Sequence, residues 1–213
     1  MVREFFDRQA GHFPEVGGTP AGLLRCVSNA LFRRSLKLRF DRVFERMGPL
    51  QGCRVLDVGC GSGSYAVHAA SAGAAHVVGV DFAPAMIRLA TTRAEKAGVA
   101  DRCHFQAADV LAFQPSEAFD FVVAMGVMDY IADPAPMIAK VIRLTNRTAF
   151  FSFPKSAGIL ALQRRVRYRR KCPLYMYSRD ELERMSSEFP PSRFEIESLA
   201  RDWFVTLHPG TTT

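Results

Sequence analysis

The run Arg54-Val55-Leu56-Asp57-Val58-Gly59-Cys60-Gly61-Ser62-Gly63-Ser64-Tyr65 constrains this chain more than any other stretch. An apolar segment containing an acid leads into glycines at alternate positions, and an alanine-rich, helix-forming run follows. That pattern is a buried strand, a tight turn and a helix N-terminus, the arrangement that offers backbone N–H groups to a nucleotide-like ligand. Gly59, Gly61 and Gly63 tolerate positive φ and leave no Cβ in a ligand's way. A dinucleotide fingerprint needs its third glycine three residues after the second. Ser64 occupies that position, which counts against a nicotinamide dehydrogenase.

Strand and helix patterns alternate from this point. Strands are predicted at 53–58, at His76–Asp81, and at about 102–107, 119–125 and 147–153. His76-Val77-Val78-Gly79-Val80-Asp81 is nearly continuous in apolar residues, as a strand covered on both faces should be. Helices are predicted from 64 to about 72, ended by Gly73, from Pro84 to Lys96, and from Asp133-Pro134 to Leu144. The alternation implies an α/β fold: a doubly wound, mostly parallel sheet with helices on both faces, right-handed crossovers, and ligands beyond the strands' carboxyl ends.

The flanks follow other rules. Residues 21–47 read as one amphipathic helix or two short ones, closed by Met47-Gly48-Pro49. After Pro154 the alternation stops, and residues 155–177 hold a basic run with no clear strand. Ser178 and Glu181 have the spacing of a capping box, opening a helix to about Glu188 that Pro190-Pro191 ends. Arg193–Leu199 and Asp202–Leu207 read as a terminal hairpin. At 213 residues, with 48% hydrophobic and 23% charged content, the chain suits one globular domain. Its expected parts are an N-terminal helical cap (1–49), a cofactor-binding core (50–153), and a basic insert with helix and strand pair (154–213).

Asp81 ends the second strand, 18 residues after Gly63. A carboxylate there can accept hydrogen bonds from both ribose hydroxyls of a nucleotide. The same residue type also caps helices, and a helix follows at Pro84. Phe82 beside it is placed to pack on an adenine.

With Leu-Asp-Val ahead of Gly-Cys-Gly-Ser-Gly, then Asp81 and Asp109 in register, residues 50–153 resemble the class I S-adenosylmethionine-dependent methyltransferases. The resemblance implies a seven-stranded sheet ending in a reversed terminal strand, S-adenosyl-L-methionine as cofactor and S-adenosyl-L-homocysteine as product. It places Gly59, Cys60, Gly61 and Gly63 against the cofactor. Asp57 would hold the glycine loop through backbone amides and lie near the ligand's ammonium. Asp109 would accept from the adenine amino group, although Asp is also common in turns, and the backbone of Val110 would contact the ring. Met125 would border the methionine part and the acceptor. Asp129-Tyr130 resembles an acid-aromatic pair that orients or deprotonates an acceptor hydroxyl; equally, Asp129 suits a helix start and Tyr130 a core position. Phe5 to Phe13 resembles a segment that folds over the cofactor, or is a terminus pinned by phenylalanines.

Missing motifs narrow the chemistry. AMGVMDY follows the fourth strand, where DNA-amine methyltransferases of this fold carry Asn/Asp-Pro-Pro-Tyr/Phe, and no Pro-Cys nucleophile stands there. No radical-cluster or metal signature occurs. The five cysteines, Cys26, Cys53, Cys60, Cys103 and Cys172, are odd in number and widely spaced, which fits a reducing cytoplasm. The charged N-terminus and the lack of a long apolar run point the same way.

The net charge of +7 gathers in two clusters, Arg33/Arg34/Lys37/Arg39/Arg42 and Arg164/Arg165/Arg167/Arg169/Arg170/Lys171. They suit an anionic substrate, an acidic membrane surface touched peripherally, or solvation alone. Nucleic acid is less favoured, because no RNA-binding module accompanies them. Ser152-Phe153-Pro154-Lys155 and the basic segment after it are loosely similar to magnesium-protoporphyrin methyltransferases. The expected function is methyl transfer to a small-molecule or lipid-linked acceptor, at oxygen, by in-line displacement. An RNA methyltransferase and a non-catalytic S-adenosylmethionine-binding protein are the alternatives.

Overall fold

The computed structural model describes residues 23–158, 161, 164 and 173–210, with side chains from residue 33 onward. The segment Phe5–Phe13 and most of the 164–171 basic run lie outside the described residues. Residues 21–47 contribute one long helix, α1 (Leu23–Met47). It stops at Gly48, whose φ of 67° breaks the helical path.

From there strand and helix alternate as the apolar pattern requires. The elements are β1 (Arg54–Val58), α2 (Ser64–Ser71), β2 (His76–Asp81), α3 (Pro84–Lys96), β3 (Cys103–Ala107), β4 (Phe119–Ala124), a 3-10 turn (Met128–Tyr130), α4 (Ala135–Leu144), β5 (Thr145–Pro154), α5 (Arg179–Ser186), β6 (Arg193–Leu199) and β7 (Asp202–His208). Seven strands form one sheet in the order β3-β2-β1-β4-β5-β7-β6. β1 pairs parallel with β2 and β4, β2 with β3, and β4 with β5. β7 runs antiparallel to both β5 and β6, so the reversed strand is last in the chain and second from the sheet edge.

Alternation along the strands feeds two apolar layers. Val55, Phe121, Val123, Phe150 and Phe204 pack with Val43 and Met47 of α1, Ala66 and Ala70 of α2, and Ala94 of α3. Leu56, Val58, Val122, Phe151, Phe153 and Val205 pack on the opposite face with Ile138 and Val141 of α4 and Leu182 of α5. Helices therefore cover both faces. The strand order reverses direction of growth between β1 and β4, and that switch point opens a crevice at the strands' carboxyl ends. Among the described residues no helix is long and apolar enough to cross a membrane.

Candidate active site

The glycine turn after β1 lies at the switch point. Gly59 N and Cys60 N both donate to Val80 O of β2, at 2.7 and 3.1 Å, which draws the turn across the sheet end. Gly59 has a φ of 63°, and a Cβ added to it would stand 2.4 Å from Cγ2 of Val127 in the loop after β4. Glycine is therefore required there by backbone conformation and by space together. At Gly63 a Cβ would stand 2.9 Å from the Cβ of Ala90 in α3. Around Gly61, by contrast, a Cβ would meet nothing within 4 Å among the described residues. Burial pushes the Cys60 thiol well above its ordinary pKa, with the nearby acids Asp57 and Asp81 adding to the shift, so Cys60 is an inert apolar group.

Three acids lie at or just beyond the carboxyl ends of β1, β2 and β3. Asp81 is buried; its Oδ2 accepts from Gly61 N and its Oδ1 from Ala83 N, both at 2.9 Å. Ala83 is itself the residue that caps α3, with no side-chain cap bond, so Asp81 braces the glycine turn and the helix entrance at once. Asp57, also buried, accepts from Ala66 N in the first turn of α2 at 3.2 Å. Burial pushes its carboxyl up to about 8; the Ala66 bond opposes that rise and Asp81 adds to it. Asp109 is exposed after β3, its Oδ1 accepting from Leu111 N at 2.9 Å, while Val110 turns its side chain into the core. Phe82, Leu89 and Leu111 are large apolar residues left exposed in the elements that flank the turn.

A cradle of this kind fits S-adenosylmethionine. Asp81, hydrogen-bonded to the glycine turn, could hold a ribose, and the exposed Asp109, Phe82 and Leu111 are candidates for an adenine. Leu89 and Leu111 were not foreseen from the sequence; an exposed leucine in an otherwise covered α/β layer was their only signal.

Beyond β4 the chain forms the other wall. Met125 is half-buried against the layer that holds α1 and α2. Gly126 N donates to Ser152 Oγ of β5 at 2.8 Å, and Arg39 Nη1 of α1 donates to the same oxygen at 3.0 Å. Asp129 and Tyr130 follow in the 3-10 turn; Asp129 is buried and Tyr130 half-buried. Asp129 is ion-paired with Arg164 Nη2. Burial pushes its carboxyl up, and Arg164 pulls against that rise.

Residues 173–177 return across the sheet end: Tyr175 N donates to Asp129 O, Tyr177 N to Pro154 O, and Ser156 N to Tyr177 O, at 2.8–2.9 Å. Arg164 also bonds Asp202 Oδ1 at 2.8 Å, while Ser35 and Arg39 approach Asp202 Oδ2 at 3.3 and 3.5 Å. Sequence reasoning placed Arg39 and Arg164 in two basic clusters suited to an anionic partner or to solvation, and did not foresee the buried group they form with Ser152 and Asp202. Their neighbours do behave as surface: Lys37 pairs with Asp41, Arg42 with Glu197, and Arg33 and Arg34 are exposed.

Comparison with known proteins agrees with this geometry. Residues 49–173 match a family model described as a methyltransferase domain. The chain is 38% identical over 117 residues to a ubiquinone biosynthesis O-methyltransferase of Hahella chejuensis, covering 54% of this chain and 48% of that protein. It is 35% identical over 150 residues to the 27-O-demethylrifamycin SV methyltransferase of Amycolatopsis mediterranei, covering 67% and 55%. The chain thus spans about half the length of the curated relatives it matches. Its fold superposes on magnesium protoporphyrin IX methyltransferase from Synechocystis PCC 6803 with bound SAH, at a TM-score of 0.73, 18% identity and 98% coverage of both chains. With the glycine turn, the acids behind it and the seven-stranded sheet in place, the chain belongs to the methyltransferase domain family.

Proposed function

We propose that this protein transfers a methyl group from S-adenosylmethionine to an oxygen of a small-molecule acceptor. The observation that carries the reading is the bond from Gly61 N to Asp81 Oδ2, which sets the glycine turn and a ribose-competent carboxylate as one unit. The O-methyltransferase relatives support oxygen as the acceptor atom.

Bound at the turn, S-adenosylmethionine would supply an activated methyl whose carbon–sulfur bond breaks as the oxygen–carbon bond forms, the electron pair returning to sulfur and the acceptor's hydroxyl proton leaving to water. The residues have correspondingly little acid-base work, and positioning supplies most of the rate. Asp81 would hold the ribose, Asp109 and Val110 the adenine end, and Asp57 the ammonium, while Gly59, Cys60, Gly61 and Gly63 present backbone. Met125 and the 126–130 loop would border the methyl acceptor. Asp129 faces the acceptor side already paired with Arg164, which suits orienting a hydroxyl more than removing its proton.

The test is methyl transfer from labelled S-adenosylmethionine to a panel of phenols, hydroxy acids and RNA, alongside calorimetry with S-adenosylhomocysteine. Transfer to a small hydroxyl compound, lost with cofactor affinity in Asp81→Ala, is the expected result. Binding without transfer to any acceptor would sink the catalytic reading, and transfer to RNA alone would sink the small-molecule one.

A further inference from the structure

Five charged side chains meet where β5, β7, α1 and the chain after β5 converge. Among the described residues, Arg39, Arg164 and Arg201 face Asp129 and Asp202. The side chains of Arg39, Arg164 and Asp129 are only 6%, 5% and 5% exposed, and that of Asp202 is fully buried. Burial of so many charges is costly unless every one of them is paired and hydrogen-bonded. Here the pairing is incomplete. Arg39 Nε, Arg164 Nε and Asp129 Oδ1 are buried and have no hydrogen-bond partner among the described residues.

The position of the cluster matters as much as its charge. Ser152 Oγ accepts from both Arg39 and Gly126 N, which ties the cluster to the loop after β4. The next residue in that loop, Val127, is the one that packs on Gly59 of the glycine turn. The unfilled donors therefore stand on the acceptor side of the cradle, one loop away from it. Burial, reinforced by the nearby Arg164 and Arg39 and opposed by Asp202 and Asp129, brings Arg201 down to about 10.

We propose that this cluster is an acceptor-anion subsite, taking a small organic acid that also bears a hydroxyl. The acid group lies against Arg39 and Arg164, and the hydroxyl donates to Asp129 Oδ1. One such ligand brings a carboxylate to the two guanidiniums and satisfies all three orphaned atoms. A neutral phenol satisfies only the carboxylate. The subsite rests on the small-molecule methyltransferase reading above and narrows its substrate class.

Calorimetry on the full chain saturated with S-adenosylhomocysteine tests it, with salicylate and its neutral isostere salicylamide as probes. Salicylate should bind at least about tenfold tighter, the difference expected of charge-assisted bonds to guanidinium. Arg39→Gln and Arg164→Gln should each remove most of that preference and leave S-adenosylhomocysteine affinity unchanged, with Arg39→Lys intermediate. Equal affinity for the two probes, or no binding of salicylate, overturns the subsite without any variant being made. Lost S-adenosylhomocysteine affinity in a folded Arg39→Gln also overturns it, because Arg39 would then serve the cofactor. Failure of the unaltered protein to bind S-adenosylhomocysteine at all is a different outcome, which removes the methyltransferase reading itself.

Discussion

At the scale of single residues, the cradle depends on contacts that tolerate little change. Gly59 carries both a left-handed φ and a 2.4 Å approach to Val127, so Gly59→Ala should destabilise the protein by about 1–3 kcal/mol. Val127→Ala in the same chain should recover the steric part and leave the backbone strain, a non-additivity that urea unfolding of the double-mutant cycle would read. Asp57 makes a prediction in pH. Its carboxyl is held at about 8 by burial, so it is protonated through the neutral range in the free protein. A cationic ligand beside it favours the charged form and lowers that pKa, so binding releases a proton. Cofactor affinity should then rise with pH up to about 8 and level off above it. Calorimetry in buffers of different ionisation enthalpy should show the release, and Asp57→Asn should abolish it; a flat profile in the unaltered protein would count against Asp57 facing the ammonium.

Elements formed where their local signals said they would, because each signal acts through neighbours in the chain. The capping box is present in full: Glu181 N donates to Ser178 Oγ, and Ser178 N donates to the Glu181 carboxylate. Ser178→Ala should cost about 1 kcal/mol, visible as a lower urea midpoint at unchanged slope. The alternation from β1 to β5 was equally legible, since strands covered on both faces need runs such as His76–Asp81. The segment after Pro154 was not. Tyr175 and Tyr177 hold its return through main-chain bonds to Asp129 and Pro154, and such bonds carry no side-chain periodicity.

The whole molecule is closed by charges that lie far apart in the chain. Asp202, at the start of β7, gathers Ser35 and Arg39 of α1 with Arg164 from the chain after β5. Asp202→Ala would leave two buried guanidiniums short of their partner and should destabilise the fold by about 3–5 kcal/mol. Urea unfolding against Asp41→Ala, a substitution at the exposed Lys37 pair worth at most about 1 kcal/mol, supplies the comparison. Similar costs for the two would mean that the cluster contributes little to holding α1 against the sheet.

The cradle was legible before any coordinates because its parts are local. Glycines at a strand-to-helix turn and acids at strand ends are demanded by backbone geometry within a few residues, so Asp57, Gly59, Asp81 and Asp109 stand out in the linear chain. What lies across from them had no such signal. Arg39 and Arg164 looked like any other arginine in a basic run, and only closure of the sheet buried them while Arg33 and Arg34 stayed in solvent. Desolvation separates one arginine from the next, and it depends on which segments meet: Ser35 and Asp202 are 167 residues apart, Arg39 and Ser152 113. The sequence by itself determined where the glycine turn and the acids at the strand ends would form. Tertiary structure decided which charges are buried together, because a charge enters such a cluster only when the fold removes its water.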